Sequence, residues 1–396
     1  MTSTIFSSGI AIFAMLFGAG NLVYPLALGR FSGDMVGYAL IGFCLTAIVV
    51  PLIGLIGAML FDGDYNSFFD RLGNFLGKAI VFICMIFLAV GIARIITVSH
   101  GAVYDLLQGI SLVHYAVLAC CVILAATYQR AKIVDLLGFV LGPTKIVMIS
   151  IVIIKGLMTA KSLVPAHVTV PQAVLEGFST GYLTLDLIGT LFFSGLIVLG
   201  IKTAEGQNIA PQRLATIGAL AGLLGGMLIA VVYCGLSLVA AMHADVLCGI
   251  EQTKILPAIA CLALGERASM FVNITVAVAC MTTAIVLTAV FADYLKDKAP
   301  ALVRAVTGFS CSLTYVQALL ITLVAVFAMA ILGFDELQGR MIPVVQVLYP
   351  VLLVTSLCNI AYKFVGLKAI GIPVVVTLCL SLGLSLWSHF SSILLG

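Results

Sequence analysis

Long apolar runs alternate with short polar breaks along the chain. Windows of about 20 apolar residues are long enough to cross a bilayer as a helix. They fall at 5–29, 36–61, 76–99, 112–128, 136–158, 174–200, 214–241, 269–294, 312–333, 341–362 and 369–391. The pattern predicts an all-α integral membrane protein with about 11 transmembrane helices. The breaks are too short for a soluble domain, so 1–396 reads as a single transmembrane domain. Ile255 to Leu264 is apolar but too short to span, and Leu141-Gly142-Pro143 predicts a kink in the fifth window.

Two of the windows carry residues that an uninterrupted apolar helix would avoid. The first holds Phe17-Gly18-Ala19-Gly20-Asn21-Leu22-Val23-Tyr24-Pro25. Glycine and asparagine are poor helix formers, and proline has no N–H to give to the ladder. The sixth holds Ser179-Thr180-Gly181-Tyr182-Leu183-Thr184-Leu185-Asp186. In hydrocarbon every backbone polar group needs a partner, so a broken helix must face protein or a wet cavity. The plainer reading of such glycines is close helix packing. The two interruptions lie five windows apart, an odd number, so a five-window repeat runs in opposite directions in the two halves. Interrupted helices at matching positions are the pointer to an inverted-repeat transporter. The expected division is a first repeat over 5–158, a second over 174–362 and an additional helix at 369–391.

Composition agrees. Hydrophobic residues make up 63% and charged residues 9%, against roughly 25% charged in a soluble domain; mean hydropathy is +1.26. No basic cluster points to nucleic acid. The 11 cysteines show no metal or disulfide spacing and read as small membrane-buried side chains. The five histidines form no metal or triad spacing either, and no nucleophile–base grouping supports an intramembrane enzyme. Met1 to Ser8 has no Lys or Arg, and no small-residue cleavage site closes the first run, which argues against a removed signal peptide.

Charges inside the windows are few. Asp186 and Arg94 sit within apolar sequence, where a charge marks a pathway, a pair or a relay. Asp186 either sits in a wet vestibule, holds the broken helix by accepting N–H bonds, or meets a ligand or cation; Arg94 pairs with Asp186, faces an aqueous path, or snorkels to the interface. Thr282-Thr283 follow Val278-Ala279-Cys280-Met281 in the eighth window. Such hydroxyls ordinarily bond back to their own helix.

The glycine motif of the first window resembles the signature of the bacterial branched-chain amino acid:cation symporters. Gly181-Tyr182-Leu183-Thr184-Leu185-Asp186 is similar to that family's motif in the sixth span, and Arg94 matches an arginine of its third. Around Arg94 the family tends to Pro-Arg-Thr-Ala, where this chain reads Ala93-Arg94-Ile95-Ile96, and members usually have twelve spans. The resemblance implies the five-plus-five inverted-repeat fold of the amino acid/polyamine/organocation superfamily, leucine-transporter-like. It also implies sodium- or proton-driven uptake of leucine, isoleucine and valine across a bacterial cytoplasmic membrane, with no cofactor beyond the coupling ion. The rivals are a proton-coupled carrier of another small neutral metabolite and a channel.

On that reading the substrate carboxylate meets free N–H groups around Gly18, Ala19, Gly20 and Asn21, at the positive end of a half-helix. The ammonium meets carbonyls freed over Thr180, Gly181, Tyr182 and Leu183. Asp186 and Arg94 lie close by, and Phe192 and Ile92 supply an apolar wall. In the related fold a sodium site lies between the broken first span and the eighth. The matching positions here are the carbonyls of Ala14, Phe17 and Ala279 and the hydroxyls of Thr282 and Thr283.

With the N-terminus inside, the inside loops hold Arg71, Lys78, Arg130, Lys132, Lys202, Arg213, Lys296, Lys298, Arg304, Lys363 and Lys368, 11 basic residues. The outside loops hold six: Arg30, Lys155, Lys161, Lys254, Arg267 and Arg340. This bias predicts a cytoplasmic N-terminus and, after eleven spans, an external C-terminus. A cysteine tag after Gly396 should therefore react with an impermeant maleimide in intact cells. Labelling only after lysis would reveal a miscounted span.

Overall fold

The computed structural model describes residues 2–73, 75–128, 142–160, 162–307 and 312–395. The regular elements among them are all helices, with no strand. Each apolar window coincides with a helix or a pair of helices, the fifth only from Gly142 onward; the start of its expected kink lies outside the described residues. Among the described residues six stretches are long and apolar enough to cross a membrane: Gly20–Met59, Leu76–Val103, Val170–Glu205, Gln212–Met242, Glu266–Lys298 and Phe334–Val365. Shorter apolar helices complete the set. Side chains such as Ile41, Phe271, Val324 and Trp387 are exposed on the outside, a surface that suits lipid and not water.

The first window is split into α1 (Thr2–Leu16) and α2 (Gly20–Ser32). The second is α3 (Val36–Cys44) and α4 (Val50–Met59), joined by a wide π-turn over Leu45–Val49. A short α5 (Tyr65–Asp70) leads to α6 (Leu76–Val103), α7 (Leu112–Tyr128) and α8 (Gly142–Thr159). The sixth window is split into α9 (Val170–Tyr182) and α10 (Asp186–Glu205). Next come α11 (Pro211–Met242) and the short α12 (Ile255–Leu264). The chain continues through α13 (Glu266–Thr307), α14 (Tyr315–Ala330), α15 (Phe334–Val365) and α16 (Gly371–Leu395).

The first break is tighter than the motif suggested. It occupies only Phe17–Ala19, and Pro25 lies inside α2. Ser237 of α11 donates to the Pro25 carbonyl at 2.8 Å, so α2 is bonded to its neighbour at the proline. The second break is likewise confined to Leu183–Leu185, because Ser179 to Tyr182 remain helical. There the backbone reverses through Leu185 at φ 62°, ψ 16°, a left-handed conformation that costs a non-glycine residue about 1–2 kcal/mol.

The helices sort into two groups by what they pack on. The halves of the first helix both lie on α11, while α9 lies on α3 and α10 on α4. The seams are made by glycine. A Cβ at Gly29 would collide with the Ser237 carbonyl, and one at Gly177 with the Ala39 carbonyl. Opposite this group α6 packs on α13, with α7 and α14 behind them. Both breaks lie where the two groups meet.

Replacing Gly177 by Ala overpacks the α3–α9 seam, and such insertions destabilise by about 1–3 kcal/mol. The midpoint of thermal unfolding in detergent should fall. Gly37→Ala is the control, since a Cβ there meets nothing within 4 Å. Equal midpoints for the two variants would show that the seam has slack.

Candidate functional site

At the first break the helix ladder stops with Phe17 N–H bonded to the Phe13 carbonyl at 2.8 Å. Gly18 N–H turns to the Leu16 carbonyl at 2.8 Å and to Asn21 Oδ1 at 3.1 Å. It is thereby withdrawn from the Ala14 carbonyl, its partner in a continuous helix. The first N–H groups of a helix have no intrahelical acceptor. Among the described residues nothing accepts from the N–H groups of Ala19, Gly20 or Asn21, and nothing donates to the Phe17 carbonyl.

The two breaks are held together by three side chains from three helices. Asn21 Nδ2 donates to Asp186 Oδ2 at 2.8 Å and also to the Tyr233 hydroxyl. Tyr233, on α11, donates to the same Asp186 oxygen at 3.1 Å. All three residues are at most 4% exposed. The Tyr233 ring is set by an edge contact with Phe43, centroids 4.9 Å apart. Tyr233 was absent from the sequence reading, although a tyrosine amid Ala230-Val231-Val232 and Leu236 is itself a signal. A buried phenol needs a hydrogen-bond partner.

Arg94 is buried and does not pair with Asp186. Its Nη1 and Nη2 both donate to the Leu183 carbonyl at 3.1 Å. The guanidinium lies 5.0 Å from the Tyr24 ring centroid and 5.6 Å from that of Phe334. Ring faces attract cations, so a carbonyl and two rings take the place of a counter-ion. This cluster separates two cavities. One, of about 90 Å³, is lined by Gly18, Ala19, Gly20, Asn21, Arg94, Thr184, Asp186 and Thr283 at polar or backbone positions. Its apolar lining includes Phe87, Leu88, Leu185, Ile188, Phe193 and Leu287. The other, about 630 Å³, is a vestibule of mixed polar and apolar lining that includes Tyr24, Arg30, Glu176, Thr180, Tyr182, Leu183, Gln252 and Gln338.

Several expected roles move. The carbonyls of Thr180, Gly181 and Tyr182 are taken by the N–H groups of Leu183, Thr184 and Leu185, and that of Leu183 by Arg94. They are therefore not free for an ammonium. The unbonded acceptor beside the central cavity is the Thr184 carbonyl, next to the Asp186 carboxylate. Gly181 lies in the seam against Thr46, and Thr180 and Tyr182 face the vestibule. Phe192 points to Tyr65 and Phe69, at 4.9 and 6.5 Å between centroids. One residue on, about 100° around the helix, Phe193 supplies the phenyl that lines the cavity. Ile92 is buried in the core beside the cavity and does not line it.

Of the five expected ion ligands, Phe17 and Ala279 border one small space, Thr283 lines the central cavity instead, and Ala14 and Thr282 border neither. Phe17, Gly18, Ala19, Ala279 and Cys280 surround a space of about 10 Å³, the order of a single water or ion. Thr282 and Thr283 both donate back to the Ala279 carbonyl, at 2.7 and 3.2 Å. A donating hydroxyl keeps its oxygen lone pairs, so back-bonding leaves both oxygens able to face a cation.

Tyr233→Phe keeps the ring against Phe43 and removes the hydroxyl between Asn21 and Asp186. Hydrogen bonds to a charged group contribute about 1.5–3 kcal/mol, and the purified variant should lose stability of that order in thermal unfolding. An unchanged midpoint would mean that the phenol contributes nothing to holding the breaks together.

Comparison with known proteins places this architecture. The family described as branched-chain amino acid transport protein matches residues 1–393. A branched-chain amino acid transport system 3 carrier protein of Pseudomonas aeruginosa is 30% identical over 371 residues, spanning 89% of this chain and 80% of its own. A Staphylococcus aureus (strain USA300) protein, assigned by name to the branched-chain amino acid carriers, is 27% identical over 403 residues, 94% of this chain and 86% of its own. Among solved structures, the nucleobase-cation-symport-1 transporter Mhp1, closed around bromovinylhydantoin, superposes with TM-score 0.62 at 11% identity over 98% of this chain and 93% of its own. A manganese transporter of Eremococcus coleocola gives 0.58 at 12% identity, covering 98% of this chain and 86% of its own. These are membrane transporters and not enzymes, and they share the leucine-transporter-like fold. The chain is a multi-pass membrane protein of the branched-chain amino acid transport family.

Proposed function

We propose that the chain is a secondary active symporter that brings leucine, isoleucine or valine into a bacterial cell across the cytoplasmic membrane, driven by a sodium gradient. The observation that carries this reading is the central cavity, polar at the two facing helix breaks and at Arg94 and Thr283, and apolar over the rest of its lining. The N–H groups of Ala19, Gly20 and Asn21 receive the substrate carboxylate, aided by the positive end of α2. The Asp186 carboxylate and Thr184 carbonyl receive the ammonium. The aliphatic chain lodges among Phe87, Leu88, Ile188, Phe193 and Leu287. A glutamate or lysine side chain entering there would lose its hydration without a partner.

Sodium occupies the space between the first break and α13, held by the carbonyls of Ala14, Phe17 and Ala279 and the hydroxyls of Thr282 and Thr283. Neutral hydroxyl and carbonyl oxygens are hard ligands that suit a hard alkali cation. An ion there joins the two helix groups only while bound. It favours one conformation by the difference in its affinity for the two.

Radiolabelled leucine uptake into proteoliposomes tests both parts. An inward sodium gradient should drive accumulation, competed by isoleucine and valine and weakly by glutamate or lysine. Replacing Thr282 and Thr283 by Ala removes two of the oxygens and should raise the sodium concentration for half-maximal uptake about tenfold or more, a loss of about 1.4 kcal/mol or more in ion binding. Accumulation driven equally well by protons alone would remove sodium from the cycle, and equal competition by lysine would remove the apolar pocket.

A further inference from the structure

The face of α6 turned to the central cavity carries Phe87, Gly91, Arg94 and Val98, about one position per turn. Gly91 alone in that row brings no side chain. Glycine is a poor helix former, and at two other places α6 uses it to let neighbours approach. A Cβ at Gly77 would collide with the Phe69 carbonyl, and one at Gly101 would lie 2.8 Å from Thr253. Neither reason holds at Gly91. Its φ is not positive, and a Cβ there would meet nothing nearer than Leu185 Cδ1 at 3.9 Å. The space such a Cβ would fill is cavity. By contrast, a Cβ at Gly189 across the cavity would already touch Leu16 and Phe193, at 3.6 and 3.8 Å.

We infer that Gly91 sets the size of side chain this transporter admits: the missing Cβ is the room that a branched aliphatic chain occupies. The inference rests on the reading that the central cavity receives the aliphatic part of the substrate. One methyl group is a large fraction of a cavity of about 90 Å³. The nearest opposing atom, Leu185 Cδ1, would lie at ordinary contact distance from the new methyl, so the protein has no clash to relieve by moving. The substituent should therefore be felt by the substrate and not absorbed by the protein. One methylene more or less in an apolar pocket is worth about 10–200-fold in discrimination.

The test is Gly91→Ala in proteoliposomes, with uptake of alanine, valine, leucine and phenylalanine measured side by side. The leucine-to-alanine ratio of kcat/KM should fall about tenfold or more, with valine between them. The thermal midpoint should be equal to or above the parent's, since alanine favours the helix. Adding Leu287→Ala, which removes bulk from another wall of the same cavity, should return part of the leucine uptake. An unchanged size series in the folded variant would overturn the inference, as would equal loss of all four amino acids. A parent that accumulates none of the four would instead overturn the proposed function. An active parent with an unresponsive Gly91→Ala variant would remove only the role of Gly91.

Discussion

The structure depends on a shortage of hydrogen-bond partners. Hydrocarbon supplies none, so a helix interrupted at mid-membrane is stable only if another part of the protein completes its bonding. Here each interruption serves the other. Asn21, two residues past the first break, reaches Asp186 at the end of the second, and Tyr233 bonds to both. Arg94 covers the Leu183 carbonyl from the opposite helix group. Among the backbone groups left over, the N–H groups of Ala19, Gly20 and Asn21 and the carbonyl of Thr184 belong to residues that line the same small cavity. That cavity is thus the remainder of a balance between two breaks.

Some of this was legible in the residues alone. The glycines and hydroxyls mark both breaks because they violate the rule for an apolar helix. Asp186 and Arg94 stand out for the same reason. The limits were set by rotation and by partners. A motif does not say on which face of α10 a phenyl lies, so Phe192 was expected where Phe193 stands. Nor does it say which carbonyls a broken end will reuse: three of the four between Thr180 and Leu183 close local turns, and Arg94 takes the last. Opposite charges in one membrane suggested a pair, yet Asp186 found an amide and a phenol, and Arg94 a carbonyl and two rings. Tyr233 is 212 residues from Asn21, and sequence distance hides such a partner.

The same economy appears in how the helices are held. Helices in lipid gain little from the hydrophobic effect against each other, so close backbone approach and polar contacts do the holding. The seams at Gly29 and Gly177 follow that rule, and Ser237 bonding to the Pro25 carbonyl adds a polar tie to one of them. At the cavity the two helix groups meet through few direct bonds, chiefly Arg94 to Leu183. Tight joints lie within a group and loose ones between groups, the arrangement a rocking movement around a fixed site requires.

The π-turn at Leu45–Val49 extends this picture. It splits the second span, and it packs against α9, the half-helix that ends at the second break. Thr46, within the turn, is buried against Gly181, two residues before the break. On one side of this level α3 is locked to α9; on the other α4 is locked to α10. The two interruptions therefore share one level, each a short link between two helices that pack on the corresponding helices of the other span. Glycine is what lets the two links lie side by side, since a Cβ at Gly181 would collide with the Thr46 hydroxyl.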